Sequence, residues 1–325
     1  MVALLKIRLH RRIIYIYSMT RKILVLTMSQ QQSNYEVSRL EVEAGKRGGE
    51  INRALYKDLE FKLENGLTGA YIKGEKIDEE NYGAVWFRVA GTKTGKYIEA
   101  RNLLIRILRN KNIFVTNGQS YLDWSRMGKI SQYGVFAENE IPVVPTRIFY
   151  TKEQILNSEM MREAELGWPV IAKFERGYQG KSVRKFKSEE EVREWLKDKD
   201  EKWLGTYLWQ RYLPSRWDLR VIVLGGKVIG AMKRSALGSE FRSNFSLGGK
   251  VEKWDLSEDD ARLAEKVARV CKLDYCGVDI MKDSAEKSAK SYVLEVNRQC
   301  QFKGFEESTG INVAGLVVDI LKEKL

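Results

Sequence analysis

The segment Val293–Gly310, VLEVNRQCQFKGFEESTG, places a glutamate and an asparagine one residue apart inside an apolar run. Side chains alternate between the two faces of an extended strand, so Glu295 and Asn297 point to one side and Val296 points to the other. A strand that is otherwise apolar enough for burial therefore carries two oxygen-bearing groups on one small patch.

A second apolar run, YCGVDIMKD at residues 275–283, precedes this segment and is expected to pair with it in a hairpin that turns near Lys287. That register places Asp279 directly opposite Glu295. Opposed residues have Cβ atoms roughly 4.5–5.5 Å apart, and like charges at that distance are destabilising, so the two carboxylates must share a proton or a cation. With Asn297 they offer the hard oxygen atoms that Mg²⁺ binds alongside phosphates and water. On spacing alone, a turn-capping or solvated role for the two acids stays open.

Strand and helix patterns alternate along the rest of the chain. Residues 21–28, 82–91 and 113–117 read as strands, and 35–49 and 97–112 as helices. This alternation predicts a small α/β domain that ends near Gly118. Later hairpins are predicted over residues 168–186 and around the pair Gly225-Gly226. Ser188, with Glu191 in a capping box, and Ser257 are predicted to cap helices.

Composition restricts the available chemistry. The 325 residues include one histidine, His10, and three irregularly spaced cysteines, so histidine triads, zinc sites and a disulfide framework are not expected. Carboxylates, amides and cations must therefore act. The net charge of +12 is compatible with nucleic acid, an anionic membrane or acidic small substrates. The low cysteine content makes a reducing cytoplasm the expected location.

Residues 1–20 are predicted to be a leader outside the main fold. Charges interrupt each apolar run, which does not fit a signal peptide or a membrane span. A transit peptide, a surface helix or an extension before Met19 all remain open.

Two loops carry the features of anion sites. Lys173 ends an apolar strand and is followed by Gly177 and Gly180, whose backbone amides could approach a phosphate closely, although the spacing is not that of a Walker motif. Residues 233–249 place Arg234 and two further polar side chains, Arg242 and Asn244, among small residues. Plain hairpin-turn and solvated-loop interpretations remain open for these segments.

These motifs in this order resemble the RimK-type ATP-grasp ligases, the glutamate-ligase-like carboxylate–amine ligases. The resemblance is strongest in DLRVIVLGGKVIGAMKRSALGSEFRSNFSLGG, GVDIM and LEVNRQCQFKGFEESTGINVA. It implies an α/β (α+β) ATP-grasp fold, with a small pre-ATP-grasp domain and two sheet-based domains that enclose ATP. The predicted divisions are a leader at 1–20, an N-terminal domain at 21–118, a central subdomain with the lid at 119–205, and a C-terminal subdomain with the Mg²⁺ site at 206–325.

The resemblance also implies roles for individual residues, with ATP and Mg²⁺, or Mn²⁺ in its place, as cofactors. Nucleotide-binding residues would be Lys129, Lys173, Gly177, Gly180, Gln210, Arg211, Tyr212, Leu213 and Asp218. Of these, residues 210–213 match the hinge whose backbone reads adenine, and Asp218 lies on the ribose side. Phosphate, acyl-phosphate and tetrahedral-intermediate contacts would come from Arg220, Arg234, Arg242 and Asn244. The metal ligands would be Asp279, Glu295 and Asn297. The segment RQCQF after Asn297, and Ser182 in the lid, depart from the family pattern.

In this family, ATP phosphorylates a carboxylate and an amine attacks the acyl phosphate. The resemblance therefore implies a ligase that adds an amino acid such as glutamate to a peptide, protein tail or small acid, with Arg88 as a candidate for a substrate carboxylate and a homo-oligomer as the expected assembly. Alternatives are a macrocyclising peptide-tailoring ligase and a nucleotide-binding regulator. A nucleic-acid-binding protein would use Trp124, Trp203, Trp209 and Trp217 as stacking platforms, but their apolar surroundings favour packing. No membrane partner is expected.

Overall fold

The computed structural model describes residues 4–9, 12–17, 21–29, 31, 34–88, 95–158, 166–175, 183–236, 250–283 and 290–324. The chain divides into two compact units. Unit 1 comprises Met1–Ser125, Gln301–Lys303 and Asn312–Leu325, and unit 2 comprises Arg126–Cys300 and Gly304–Ile311. Helices and strands are both abundant, so the predicted α/β (α+β) class is confirmed. The three-domain division at residues 118 and 205 stays a prediction.

The described helices are α1 (Asn34–Lys46), α2 (Ile98–Leu108), α3 (Gly118–Asp123), α4 (Lys129–Glu138), α5 (Lys152–Asn157), α6 (Glu189–Lys197), α7 (Glu258–Val270), α8 (Lys303–Thr309) and α9 (Val313–Glu323). The described strands are β1 (Leu4–Leu9), β2 (Arg12–Tyr17), β3 (Lys22–Thr27), β4 (Ile51–Leu55), β5 (Leu59–Glu64), β6 (Leu67–Ile72), β7 (Glu75–Lys76), β8 (Tyr82–Phe87), β9 (Phe114–Val115), β10 (Thr146–Ile148), β11 (Val170–Phe174), β12 (Val183–Phe186), β13 (Tyr207–Arg211), β14 (Trp217–Leu224), β15 (Lys227–Ser235), β16 (Lys250–Trp254), β17 (Tyr275–Lys282) and β18 (Ser291–Asn297). Short 3₁₀ helices cover Tyr56–Asp58 and Glu201–Thr206.

A parallel four-stranded sheet of order β4-β3-β8-β9 forms the centre of unit 1. Every residue of β8 is buried, as expected for a strand of a parallel sheet that is covered on both faces. The connection through α1 carries the chain from β3 to β4 on one side, whereas β8 lies on the other side of β3. The order therefore reverses between β3 and β8, and in open parallel sheets ligands bind beyond the carboxyl ends of the strands at this point.

Unit 1 contains two antiparallel elements that differ from the sequence expectations. Strands β5, β6 and β7 form a three-stranded sheet in a segment for which no strand was predicted. Strands β1 and β2 pair as a hairpin, so the surface helix left open for residues 1–20 is wrong for those two segments.

Unit 2 contains two antiparallel sheets, one of four strands in the order β10-β13-β11-β12 and one of five in the order β16-β15-β14-β17-β18. Pairing of β11 with β12 confirms the predicted hairpin strands, while Gly177, Gly180 and Ser182 lie outside the described residues. The β14–β15 hairpin is also confirmed. Its turn residues Gly225 and Gly226 have φ of 59° and 78°, which glycine adopts without steric cost.

Side-chain caps begin two helices of unit 2. Ser257 Oγ accepts a hydrogen bond from the Asp260 backbone at 3.2 Å, and Ser188 Oγ accepts one from Glu191 at 3.5 Å. The Glu191 carboxylate accepts from the backbone of Lys187 rather than that of Ser188, so the predicted capping box is only half formed.

Two of the four tryptophans that were weighed as stacking platforms pack against aromatic side chains of unit 2. Trp209 is fully buried between Phe186 and Trp195, and Trp217 packs on Trp254 with a centroid distance of 5.5 Å. Trp203 is half exposed. Among the described helices, none combines the length and apolar character needed to cross a membrane.

Candidate active site

The β17–β18 ladder brings the two predicted carboxylates together. Gly277 faces Asn297, Val278 faces Val296, and Asp279 faces Glu295, which confirms the predicted register. Beyond Asp279 the register shifts by one residue. The acid pair thus lies where the ladder is still regular, immediately before an irregularity.

Two arginines neutralise Asp279. Arg220, opposite Asp279 on β14, donates through Nε and, at 2.9 Å, through Nη2. Arg234 on β15 approaches Asp279 Oδ2 at 3.0 Å through Nη2. Arg234 also forms a two-bond fork with Asp218, at 2.6 and 2.9 Å. The four side chains form a charge-balanced row across three strands.

Burial sets the protonation behaviour of this row. Burial raises the pKa of Asp279, while the Arg220 and Arg234 guanidinium groups act in the opposite direction. Burial also works against the charge of Arg234, but Asp218 and Asp279 outweigh it, so the pKa of Arg234 lies above its ordinary value. The arginines therefore stay charged.

Glu295 forms its ion pair with a lysine rather than with an arginine. Lys129 Nζ, at the first residue of α4, lies 3.3 Å from Glu295 Oε2, and Asn297 Nδ2 donates to Glu295 Oε1 at 3.1 Å. Burial disfavours the charge of Glu295, but Lys129, then Asn297 and the buried arginines, hold its pKa well below the usual range. Lys173 on β11 has its pKa lowered to about 8, first by burial and then by Lys129. The ammonium groups of Lys129 and Lys173 and the carboxylate of Glu295 therefore interact electrostatically.

The predicted adenine hinge lies at the end of β13. Gln210 Nε2 donates to Thr146 Oγ1 at 2.8 Å, whereas its Oε1 is buried and has no partner among the described residues. Arg211 Nη2 donates to Asp283 at 3.0 Å and to the Tyr292 hydroxyl at 3.1 Å.

The next two hinge residues make side-chain contacts of their own. Lys185 Nζ lies 3.6 Å from the centroid of the Tyr212 ring, and Leu213 packs in an apolar cluster with Val144. The side-chain oxygen of Gln210 is therefore a buried acceptor at the start of residues 210–213. The side chains of the other three residues are held by hydrogen bonds, a cation–π contact and apolar packing.

A sequence profile described as the RimK-like ATP-grasp domain matches residues 127–321, more than half of the chain. The chain belongs to the RimK-like ATP-grasp family. It is 34% identical over 167 residues to beta-citrylglutamate synthase B of Danio rerio, covering 50% of this chain and 40% of that protein. It is 35% identical over 169 residues to N-acetylaspartylglutamate synthase A of Homo sapiens, covering 50% and 41%. The chain thus spans about two-fifths of the length of these two relatives.

Other similarities extend over more of the chain. A Rhodopirellula baltica protein named "Probable alpha-L-glutamate ligase" is 27% identical over 297 residues, covering 90% of this chain and 69% of that protein. The ATP-grasp ligase PsnB, in a structure with a minimal precursor, superposes with a TM-score of 0.71 at 18% identity, covering 94% and 99%. The macrocyclase MdnC of Microcystis aeruginosa, bound to precursor peptide MdnA, gives 0.68 at 13%, covering 93% and 99%. These similarities support the ATP-grasp fold of this RimK-like protein.

The donor set of this RimK-like ATP-grasp protein fits a magnesium ion. An ionised carboxylate offers about four acceptor positions, of which Asp279 uses three on guanidinium groups and Glu295 uses two on Lys129 and Asn297. Rotation of the Asn297 amide by 180° would turn its oxygen toward Glu295. Among the described residues, no group of three or more His, Cys, Asp or Glu side chains is placed to hold a metal ion.

Two of the predicted catalytic residues, Arg242 and Asn244, lie outside the described residues. One positioning residue was missed by the sequence analysis. Gln132 Oε1 accepts from the backbone of Val296 at 2.8 Å, and its Nε2 donates to the carbonyl of Met127 at 3.0 Å. This bridge ties α4 to β18 and holds Lys129 beside Glu295. Nothing in the local sequence marks a helical glutamine for such a role.

Proposed function

We propose that this RimK-like protein is an ATP-dependent carboxylate–amine ligase that adds an amino acid such as glutamate to a peptide, protein tail or small acid. The proposal rests on the paired carboxylates Asp279 and Glu295, which face each other on β17 and β18 and form ion pairs with three cations, Lys129, Arg220 and Arg234. The names of relatives as glutamate ligases and as synthases of glutamate conjugates support the substrate class.

Phosphoryl transfer and amide formation together account for the proposed reaction. The γ-phosphoryl group passes from ATP to a substrate carboxylate, which gives an acyl phosphate and ADP. The amine then attacks the acyl carbon, an amide bond forms, the bond to phosphate breaks, and the amine proton is lost. No histidine is needed, because positioning and charge stabilisation supply most of the catalysis.

The residues divide this work by their chemistry. Asp279, Glu295 and Asn297 would hold Mg²⁺, which when bound supplies neutralising charge for the phosphates. Lys129 and Lys173 carry ammonium groups suited to phosphate oxygens, and the buried acceptor of Gln210 suits the amino group of adenine.

Arg220 and Arg234 act in this proposal through the carboxylates that they flank. They oppose the rise that burial causes in the pKa of Asp279 and fix its carboxyl group in place, with phosphate contact as a further role. The contributions of Asp218 to ribose binding and of Arg242 and Asn244 to the acyl phosphate stay predictions.

A second candidate comes from solved structures that align with nearly the whole chain. PsnB and MdnC are described with precursor peptides, and MdnC as a macrocyclase. The same acyl-phosphate chemistry would then join side chains within one peptide. The two candidates differ in whether a free amino acid is consumed.

Magnesium-dependent ADP release tests the proposal. Purified protein is supplied with ATP, Mg²⁺ and pairs drawn from free amino acids, acidic peptides and small dicarboxylates, and products are identified by mass. One pair is expected to stimulate ADP release. Glu295→Gln should lower the rate about 100-fold or more, as loss of a transition-state charge contact does. Glu252→Gln, on β16 of the same sheet with a side chain 40% exposed, is the matched control and should leave the rate unchanged. ADP release without any amide product, or equal rates for both variants, would contradict the ligase assignment.

A further inference from the structure

Arg101, on α2 of unit 1, is a buried arginine with only neutral partners. Its side chain is 3% exposed. Nη2 donates to the Ser125 carbonyl at 2.6 Å, and Nε and Nη2 share Asn102 Oδ1 at 3.3 and 3.2 Å. Its guanidinium carbon lies 3.8 Å from the centroid of the Tyr121 ring. These contacts fix the guanidinium group in place without balancing its charge.

The absence of a counterion distinguishes Arg101 from the buried arginine of unit 2. Arg234 lies beside two carboxylates, which raise its pKa, whereas burial lowers the pKa of Arg101. Glu99 opposes this effect weakly, but it is exposed and forms no ion pair with Arg101 among the described residues. The parts of unit 1 outside the described residues contain no aspartate or glutamate. Among the described residues, no acidic side chain forms an ion pair with this buried cation, and such a cation is costly unless an anion pairs with it.

Three residues linked to Arg101 follow the carboxyl ends of parallel strands. The Tyr121 ring lies under its guanidinium group, Tyr56 interacts with it electrostatically, and Arg88 acts on the same Tyr56. Tyr56 comes directly after β4, Arg88 directly after β8, and Tyr121 follows β9 on α3. The Tyr56 hydroxyl donates to the Arg88 carbonyl at 3.1 Å. Burial holds the pKa of Tyr56 well above its usual range, and both Arg101 and Arg88 act against this rise. Two buried guanidinium groups thus act on one tyrosine at the edge of the sheet where ligands of open parallel sheets bind.

We propose that Arg101 is the anchor of a carboxylate-binding subsite in unit 1, which recognises a non-reacting carboxylate of the acceptor. The assignment to the acceptor rests on the ligase function proposed above. A planar guanidinium group already fixed by a tyrosine ring and two carbonyl-type acceptors is preorganised for a carboxylate, with which it forms charge-assisted hydrogen bonds. Arg88, considered from the sequence, is a second cation of the same subsite, whereas Arg101 lies inside a helical pattern that gave no signal.

Binding of succinate to the full chain without ATP tests the subsite directly. Calorimetry compares the wild type, Arg101→Gln and Arg106→Gln, the last an exposed arginine on the same helix that loses the same charge. Loss of a hydrogen bond to a charged group costs about 1.5–3 kcal/mol, so Arg101→Gln should weaken succinate binding about 10- to 100-fold. Arg106→Gln should match the wild type, and the neutral analogue succinamide should bind none of them. Equal succinate binding by Arg101→Gln, or inorganic phosphate competing as well as succinate, would overturn the proposal.

Two further measurements keep the test decisive. If Arg101→Gln does not fold, backbone hydrogen exchange of the wild type is measured with and without succinate. Succinate is expected to protect α2 and α3 from exchange. Protection confined to unit 2, or no protection, would count against the subsite. In the ligase assay, Arg101→Gln should raise KM for the acceptor and leave KM for ATP unchanged. Arg101-dependent succinate binding by a protein that makes no amide would refute the ligase function alone, whereas a working ligase with unchanged acceptor KM would refute the subsite alone.

Discussion

Replacing Asp279 with asparagine is expected to destabilise unit 2 because it leaves two buried guanidinium groups facing a single carboxylate. In the native row the side chains of Arg220 and Asp279 are 12% and 4% exposed, and those of Arg234 and Asp218 are 6% and 5% exposed. Asparagine keeps nearly the same volume and one acceptor oxygen, but it turns a second acceptor into an amide donor that meets a guanidinium donor. Removing one partner of a buried ion pair costs about 3–5 kcal/mol. We expect a loss of that size in the free energy of unfolding.

Urea unfolding followed by tryptophan fluorescence, without nucleotide or Mg²⁺, measures this loss. The matched control is Asp259→Asn on α7, whose side chain is 89% exposed and pairs with Arg262; it should cost less than about 1 kcal/mol. Combining Asp279→Asn with Arg220→Gln restores the charge balance, so the double variant should cost less than the sum of the two single variants. Additive costs, or a loss no larger than that of Asp259→Asn, would refute the idea that charge balance stabilises the row.

Further predictions concern single positions. Because Lys173 has a pKa of about 8 against an ordinary value of 10.5, ATP affinity measured by calorimetry should fall as the pH rises through 8, and Lys173→Arg should retain it. The unfolded chain keeps this proton longer, so the contribution of Lys173 to the free energy of unfolding rises between pH 8 and 10.5. Gly277→Ala should lower the free energy of unfolding in urea by about 1–3 kcal/mol, because the new Cβ would lie 2.8 Å from Arg220 Cδ. Gly134→Ala is the contrasting variant. Its Cβ would meet nothing within 4 Å, so it should stabilise α4 by about 0.5–1 kcal/mol. Ser257→Ala should cost about 1 kcal/mol through loss of the α7 cap.

Local patterns account for the parts of the fold that were predictable. The acid pair on β17 and β18 follows from strand alternation and a short connection, and the caps follow from serine before acidic first turns. A usable signal was missed in LEFKLENGLTGAYI at residues 59–72, where alternating strands flank Asn65-Gly66, a strong hairpin marker. The structure places β5 and β6 there, with Gly66 at a φ of 74°. This hairpin is predictable from the sequence, because its pattern needs no tertiary information.

The ion pair of Arg234 with Asp218 could not be predicted in the same way, because it depends on a β-bulge. A hairpin closed at Gly225-Gly226 with Leu224 facing Lys227 and no irregularity would place Lys233 opposite Asp218. An extra residue between Val228 and Gly230 shifts the register by one, so Arg234 faces Asp218 instead. A shift of one residue exchanges the faces of a strand, and this bulge is what turns the arginine fork of residue 234 toward Asp218 and Asp279.

The bulge therefore decides the chemistry of the row as well as its geometry. A lysine opposite Asp218 would offer one ammonium group, whereas Arg234 reaches two carboxylates on different strands with a planar fork. A Cβ at Gly230, on the far side of the bulge, would lie 2.6 Å from Ile311 Cδ1 and 3.2 Å from the Phe305 ring, so a larger residue there would require these side chains to move. The register shift and the packing of Gly230 against Ile311 and Phe305 are tertiary features that the local sequence pattern does not report. Residues remote from the carboxylates thus determine which cation neutralises them.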